Sequence, residues 1–140
     1  MEWRKGKYLI TDELERVDLD TVHELLSQSY WAADRSKMVN AKAIANSLCF
    51  TILDNNRQVG FARVVTDKAT FAWIADVIIH PDYRGQGLGK WLMECVTGHP
   101  LLIGTLQLLK TRDAHGLYLK YGFENDKCMT LRDAPPASDD

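Results

Sequence analysis

The chain has 140 residues, of which 46% are hydrophobic and 26% are charged, and its formal net charge at pH 7 is -2. This length and composition are typical of one soluble globular domain with a single core. A slightly negative chain lacks the basic surface expected of a nucleic-acid-binding protein, and no apolar run is long enough to span a membrane. We therefore expect neither nucleic acid nor a membrane as a partner.

The cysteines and histidines give no sign of a metal site. Cys49, Cys95 and Cys128 are odd in number and far apart, which favours reduced thiols over a disulfide framework or a zinc site. The histidines also lack the spacing of metal ligands. We therefore expect no metal. The N-terminal residues MEWRKGKYLI have no apolar signal-peptide core, so we expect a cytoplasmic protein.

The first part of the chain carries two helix signals after a short strand. Residues 7–12 predict the first strand. Residues 18–31 have an apolar face at helical spacing, and Thr21 with Glu24 would form a capping box. Residues 41–48 predict a second, shorter helix.

Strand signals dominate the middle of the chain. Residues 49–54 and 58–67 flank an Asn-Asn-Arg turn and predict a hairpin. Residues 71–80 are almost all apolar, which is typical of a strand buried on both faces. Asp76 is the only charged residue of that strand. It is either hydrogen-bonded structurally or held for chemistry with a raised pKa.

Helix and strand signals alternate in the last third. Residues 87–96 have an apolar stripe at helical spacing. Residues 101–111 predict a strand, and residues 113–122 predict a short helix with Asp113 as its N-cap. Residues 123–132 predict a closing strand.

This order of elements predicts the fold class. Strands followed by alternating helices and strands imply an α/β sandwich around one mixed sheet, with about four flanking helices. We expect one domain over residues 1–133 and a disordered tail over residues 134–140.

Three glycines at every second position, Gly85, Gly87 and Gly89, separate the buried strand from the next helix. N–H groups at a helix start are unsatisfied donors at the positive end of the dipole, and glycines let a phosphate approach the backbone. Arg84 and Lys90 add positive charge. The stretch predicts a phosphate or pyrophosphate site, with an ordinary glycine-rich turn as the alternative.

Two common phosphate-binding patterns do not fit. The Walker pattern fails because Lys90 is followed by Trp91, and the dinucleotide fingerprint fails because the glycines are spaced GxGxG. The stretch RGQGLG, residues 84–89, instead resembles the R/Q-x-x-G-x-G/A loop of the GNAT superfamily of acetyl-coenzyme A dependent N-acetyltransferases. The preceding ADVIIHPDYRG and the later YLKYGF resemble that family too, and the similarity extends to about Leu131. It implies a three-layer fold.

The resemblance implies how acetyl-coenzyme A would be bound. The backbone of the loop would hold the pyrophosphate. The strand before the loop would pair with the pantetheine arm, and one of its amides would stabilise the oxyanion. The loop residues are Arg84, Gly85, Gln86, Gly87, Leu88, Gly89 and Lys90, and the strand residues are Val77, Ile78 and Ile79.

The resemblance also implies two proton transfers. An amine with a pKa near ~10 must lose a proton before it attacks, and the leaving thiolate must gain one. Tyr118 matches the general acid of the family, and the resemblance favours this role over the alternative of a packed core residue on one helical stripe. Asp76 is the candidate base. A water chain is the alternative, because Trp73 occupies the position of the catalytic glutamate of some members and residues alternate faces along a strand.

The amine acceptor is expected beside the first two helices. There Tyr30 and Trp31, flanked by Trp73 from the strand, would line a cleft for an aromatic or cationic amine. Alternatively, Tyr30 and Trp31 only cap the helix by packing.

The sequence thus predicts an enzyme that moves an acetyl group directly to a small-molecule amine, or alternatively to a protein or peptide amine. Rival interpretations are a coenzyme A-binding or sensing module without turnover, and an interaction protein that uses the fold alone. An exposed terminal strand would also allow a homodimer.

Overall fold

Six strands and four α-helices make up the structure, a computed structural model that describes residues 1–133. The strands are β1 (Glu2–Lys5), β2 (Tyr8–Thr11), β3 (Leu48–Asp54), β4 (Arg57–Thr66), β5 (Phe71–Ile79) and β6 (Leu106–Leu109). The helices are α1 (Leu19–Ser27), α2 (Lys37–Ala45), α3 (Leu88–Thr97) and α4 (His115–Leu119), with 3-10 turns at Leu14–Arg16 and Pro81–Tyr83.

The strands form one sheet in the order β1-β2-β3-β4-β5-β6. Neighbouring strands are antiparallel, except that β5 and β6 are parallel. A parallel pair needs a crossover connection, which α3 supplies. The predicted α/β class, with a mixed sheet and about four helices, is confirmed.

The chain divides into two compact units. The first, Met1–Leu109, contains the sheet with α1, α2 and α3, and the second begins at Lys110 and contains α4. The predicted disordered tail, residues 134–140, lies outside the described residues.

The core of the first unit lies on both faces of the sheet. On one face, Leu25 and Leu26 of α1 are buried in a cluster with Phe61 and Ile78 of the central strands. On the opposite face, Phe50 contacts the ring of a histidine just beyond α3, with ring centroids 5.5 Å apart. Burial of each large apolar side chain contributes about 1.5–3 kcal/mol.

The elements predicted for the middle of the chain are confirmed. The hairpin predicted over residues 49–54 and 58–67 is the β3–β4 pair, whose turn includes Asn55 with φ 56°. The strand predicted over residues 71–80 is β5, and the helix predicted over residues 87–96 is α3.

The N-terminal predictions need correction. Strand β1 precedes the predicted first strand and pairs with it. The first helix ends at Ser27, and its cap is Asp18, which accepts from the Asp20 N–H, rather than the Thr21–Glu24 box. The second helix begins at Lys37 rather than at residue 41.

That earlier start has a local cause. The Ser36 side chain accepts a hydrogen bond from the Val39 N–H at 3.1 Å, which satisfies one of the free amides of the first turn.

The sequence predicted more strand in the last third of the chain than the structure contains. Of residues 101–111 only β6 is extended, and the residues before it form turns. Helix α4 has Ala114 rather than Asp113 at its N-cap. The strand predicted over residues 123–132 is wrong for the described chain. Residues 124–127, Glu-Asn-Asp-Lys, lack both the alternation and the residue types that favour a strand.

Candidate active site

The loop between β5 and α3 leaves a run of backbone donors unused. Within residues 1–133, the N–H groups of residues 85–90 have no hydrogen-bond acceptor, and the first helical bond of α3 is the one from the Trp91 N–H to the Gly87 carbonyl at 3.0 Å. Six consecutive free amides at the start of a ten-residue helix form a favourable site for an anion.

Two glycines create this conformation. Gly85 has φ +82° and Gly87 has φ +83°, and a Cβ on either would meet no atom within 4 Å. Glycine is therefore required by the backbone angle and not by crowding. Gly89 has an ordinary backbone, and a Cβ there would lie 3.8 Å from Ile79 Cγ1, an ordinary packing distance.

Side chains hold the loop on both sides. Arg84 donates from Nε to the Ile79 carbonyl at 3.0 Å. The Tyr8 hydroxyl donates to Gln86 Oε1 at 3.0 Å, and Gln86 Nε2 donates to the Tyr83 carbonyl at 3.3 Å. Leu88 is buried in the core and anchors the start of α3.

The predicted strand residues lie on an unpaired edge of β5. The parallel ladder to β6 ends with Ile74 opposite Leu109, so in the described chain Val77, Ile78 and Ile79 have no β6 partner. On its other side β5 stays paired to β4. Free backbone groups beside the loop could pair with an extended ligand.

A β-bulge interrupts β5 just before this edge. Ala75 pairs with Arg63 and Ile78 pairs with Phe61, so that Asp76 and Val77 together oppose a single residue of β4. Asp76 has φ +53°, a left-handed conformation that is uncommon outside glycine. Strain of this kind is characteristic of functional sites, where surrounding contacts maintain it.

The contacts that maintain it converge on the Asp76 carboxylate. Trp31 Nε1 donates to Oδ1 at 2.9 Å. Arg35 donates to both oxygens, at 2.8 and 3.0 Å, and Arg63 Nε donates to Oδ2 at 2.8 Å. The Asp76 side chain is only 2% exposed. We call Asp76, Trp31, Arg35 and Arg63 the Asp76 cluster.

This environment fixes the charge of Asp76. Burial alone would raise the pKa of its carboxyl group. The hydrogen bonds and positive charges of Arg35 and Arg63 outweigh burial and leave the pKa below the usual value. Of the two alternatives that the sequence left open, the geometry favours the structural one over a raised pKa.

The predicted acceptor residues follow α1 and lie on β5. Tyr30 and Trp31 lie in the turn after α1, are each 41% exposed, and pack edge to face with ring centroids 5.1 Å apart. Trp73 is half-buried on β5, and no hydrogen bond within residues 1–133 joins it to the Asp76 cluster. The structure thus brings Trp31 into contact with Asp76 and Tyr30 into contact with Trp31.

Tyr118 belongs to the second unit. It is half-buried on α4, and its ring packs edge to face with Phe123, with centroids 6.0 Å apart. Its carbonyl accepts from the N–H groups of Tyr121 and Phe123.

The sequence reasoning missed Arg63. The sequence does contain an indication of its role. Arg63 is the one charged residue in the middle of the apolar strand β4, and Asp76 is the one charged residue of β5. Single opposite charges in adjacent buried strands are expected to pair, because an unpaired buried charge is costly.

The described residues contain neither a metal-binding cluster nor a membrane-spanning helix. Among residues 1–133, no three His, Cys, Asp or Glu side chains are close enough to hold a metal ion. No helix in that part of the chain has the length and apolar character needed to cross a bilayer.

Comparison with known proteins points to one family. Residues 45–125 match the profile described as "Acetyltransferase (GNAT) domain". A solved structure from Xanthomonas campestris, assigned to the GNAT acetyltransferases, is 39% identical over 94% of this chain and 96% of its own, with a TM-score of 0.88. A Porphyra purpurea protein named N-acetyltransferase ycf52 is 32% identical over 80% of this chain and 68% of its own length.

Proposed function

The chain belongs to the GNAT family of N-acetyltransferases, and we propose that it transfers the acetyl group of acetyl-coenzyme A to a primary amine of a small molecule. The observation that carries this proposal is the run of six free N–H groups at residues 85–90, next to the unpaired edge of β5. The two features together match an anion joined to an extended arm.

The loop would bind the pyrophosphate. Its free amides donate hydrogen bonds to phosphate oxygens, and the exposed side chains of Arg84 and Lys90 add positive charge. The left-handed glycines, Gly85 and Gly87, keep the amides accessible, since neither carries a side chain that would cover them.

The edge of β5 would position the reacting group. Acetyl-coenzyme A supplies an activated acetyl thioester. Backbone groups of Val77, Ile78 and Ile79 would pair with the pantetheine arm, and an amide beside the bulge would stabilise negative charge on the thioester oxygen. Such preorganised donors commonly contribute a few kcal/mol.

The chemistry needs a proton acceptor and a proton donor. The amine nitrogen attacks the carbonyl carbon and loses a proton, while the carbon–sulfur bond breaks and the thiolate gains a proton. We assign the donor to Tyr118. We assign the first proton to ordered water rather than to Asp76, because four hydrogen bonds already engage the Asp76 carboxylate and its pKa is lowered.

The acceptor would lie beside Tyr30, Trp31 and Trp73. Exposed aromatic rings favour an aromatic or cationic amine. We place a small molecule ahead of a basic protein tail, because the chain has a net charge of only -2. The cytoplasmic location and the homodimer stay predictions.

The test is an assay of thiol release from acetyl-coenzyme A with a panel of primary amines and one lysine-rich peptide. Turnover with at least one small amine supports the proposal, and preference for the peptide would move the acceptor to the protein class. If acetyl-coenzyme A binds but no acceptor is acetylated, the chain is instead a coenzyme-binding module without activity.

A further inference from the structure

The Asp76 cluster joins the acceptor side of the proposed site to the strand that would hold the thioester. Resting on the proposed function, we infer that Asp76 is a positioning residue that fixes Trp31 and Arg35 so that the exposed indole of Trp31 binds an aromatic or cationic part of the amine. Asp76 acts through these two side chains and exchanges no proton with the substrate.

The geometry of Trp31 is the first argument. Its Nε1 edge is tied to Asp76 at 2.9 Å, yet the residue remains 41% exposed. A ring that served only to cap the helix would not need a hydrogen bond to a buried carboxylate on another element. An indole that is held at its Nε1 edge, packs against Tyr30 and still keeps 41% of its surface exposed is suited to stacking or to a cation–π contact.

The second argument is that the α1–α2 connection is fixed at several points. Arg35 forms a planar two-pronged contact with the Asp76 carboxylate, and this geometry restricts the guanidinium orientation. Arg35 also contacts Asn40 of α2 at 3.5 Å, and Asn40 bonds to His23 of α1 at 3.0 Å. The connection is thereby tied to β5 and to both helices.

The third argument is the position of Asp76 within β5. It occupies the bulge immediately before Val77, with a left-handed backbone. On β4, Arg63 closes the cluster and also donates to Ser47 Oγ at 3.2 Å, just beyond α2. The Asp76 carboxylate therefore fixes the position of Trp31 and Arg35 relative to the bulge of β5.

The experiment compares amine kinetics in three variants. Trp31→Phe removes the indole N–H but keeps the ion pairs intact, Asp76→Asn removes the charge, and Trp3→Phe on β1 is the matched control. The amines are 2-phenylethylamine, 1,5-diaminopentane and pentylamine. The last has neither a second charge nor a ring. Acetyl-coenzyme A affinity is measured for each variant by calorimetry.

We expect Trp31→Phe and Asp76→Asn to raise the KM of the aromatic or the doubly charged amine about tenfold, as for loss of one hydrogen bond to a charged group. The acetyl-coenzyme A Kd should be unchanged in Trp31→Phe and in Trp3→Phe, and Trp3→Phe should also keep the amine KM of the wild type. The pH profile of kcat should keep its acidic limb in all three variants. The inference is overturned if Trp31→Phe behaves like Trp3→Phe. It is also overturned if Asp76→Asn abolishes the acidic limb of the kcat profile without raising the amine KM, because Asp76 would then be the base.

A second measurement separates this inference from the proposed function. In a 1H–15N spectrum the Trp31 indole N–H is identified by its loss in Trp31→Phe. Asp76→Asn, or Arg35→Lys if the former does not fold, should shift that signal and leave the Trp3 signal in place. If no amine is acetylated, the acceptor role fails with the proposed function, whereas an unshifted Trp31 signal overturns the positioning itself.

Discussion

At the scale of single residues, we expect the Asp76 carboxylate to make a large electrostatic contribution to the stability of the folded protein. Its carboxylate lies between the guanidinium groups of Arg35 and Arg63 and is 2% exposed. Asp76→Asn leaves these two charges without their partner, so we expect a loss of about 3–5 kcal/mol in the free energy of unfolding. Urea denaturation at pH 7 measures this loss.

Comparison of the wild type with Asp76→Asn also tests how the free energy of unfolding depends on pH. Because the pKa of Asp76 is lowered in the folded protein, its stabilisation is present above the unfolded-state pKa and is lost as the pH falls through the folded-state pKa. The gap between wild type and Asp76→Asn should therefore narrow below pH ~4. A gap that stays constant down to acid unfolding would contradict the assigned charge state.

Gly87 offers a test of backbone geometry. Alanine at φ +83° costs about 1–2 kcal/mol. We expect Gly87→Ala to move the loop amides and to raise the Kd of acetyl-coenzyme A about tenfold, as for one lost hydrogen bond to a charged group. Gly104→Ala is the control, because Gly104 has φ +91° and equally open surroundings in another turn. It should destabilise the fold by a similar amount and leave the Kd unchanged.

Tyr118→Phe tests the proposed proton donor. Loss of general acid catalysis lowers kcat by about 100-fold or more, whereas binding does not need the hydroxyl. Stopped assays of acetylated amine and calorimetry with acetyl-coenzyme A separate the two effects. A fall in affinity with unchanged kcat would assign Tyr118 to packing or binding instead.

At the scale of elements, the β1–β2 hairpin supports the loop of residues 84–90, the proposed pyrophosphate site, through a hydrogen bond from Tyr8. Tyr8→Phe removes the bond to Gln86 Oε1, which spans 78 residues of sequence. We expect the Kd of acetyl-coenzyme A to rise about three- to tenfold, since a neutral hydrogen bond contributes about 0.5–1.5 kcal/mol. Tyr83→Phe, which removes a hydroxyl bonded to Asp54, is the matched control and should leave the Kd unaltered.

Local patterns were sufficient to predict the elements that form the centre of the site. The apolar run of β5, the glycines after it and the stripe of α3 all reflect short-range preferences. The limits of α1 and α2 depended on which of several polar residues becomes the cap, and Asp18 and Ser36 were not distinguishable from their neighbours by type. Strand β1 was missed because its four polar or half-buried residues show no core pattern.

The bulge and its partners could not be predicted in the same way. Nothing in the sequence sets Asp76 at a positive φ, because that angle results from the register between β4 and β5. Its contacts with Trp31 and Arg35 span 45 and 41 residues. Such contacts depend on how helices and strands pack, so the sequence showed that Asp76 was unusual without showing why.

At the scale of the whole molecule, the family and the fold leave the acceptor open. A GNAT fold supports many acceptors, so specificity has to come from the residues beside the thioester. We propose that those residues are the exposed aromatic residues after α1 and the Asp76 cluster, which fixes Trp31. In our proposal the loop of residues 84–90, by contrast, binds through its backbone N–H groups, so we expect it to bind the same coenzyme whatever the amine.

The most direct measurement is a calorimetric titration of the protein with acetyl-coenzyme A, run beside ATP and NAD. We predict that acetyl-coenzyme A binds selectively, because it combines a pyrophosphate for the loop at residues 85–90 with an arm for the edge of β5. Gly87→Glu, which places a negative side chain in the loop, should abolish that binding. Equal binding of all three ligands, or full binding by Gly87→Glu, would contradict the assignment of the loop as the coenzyme site.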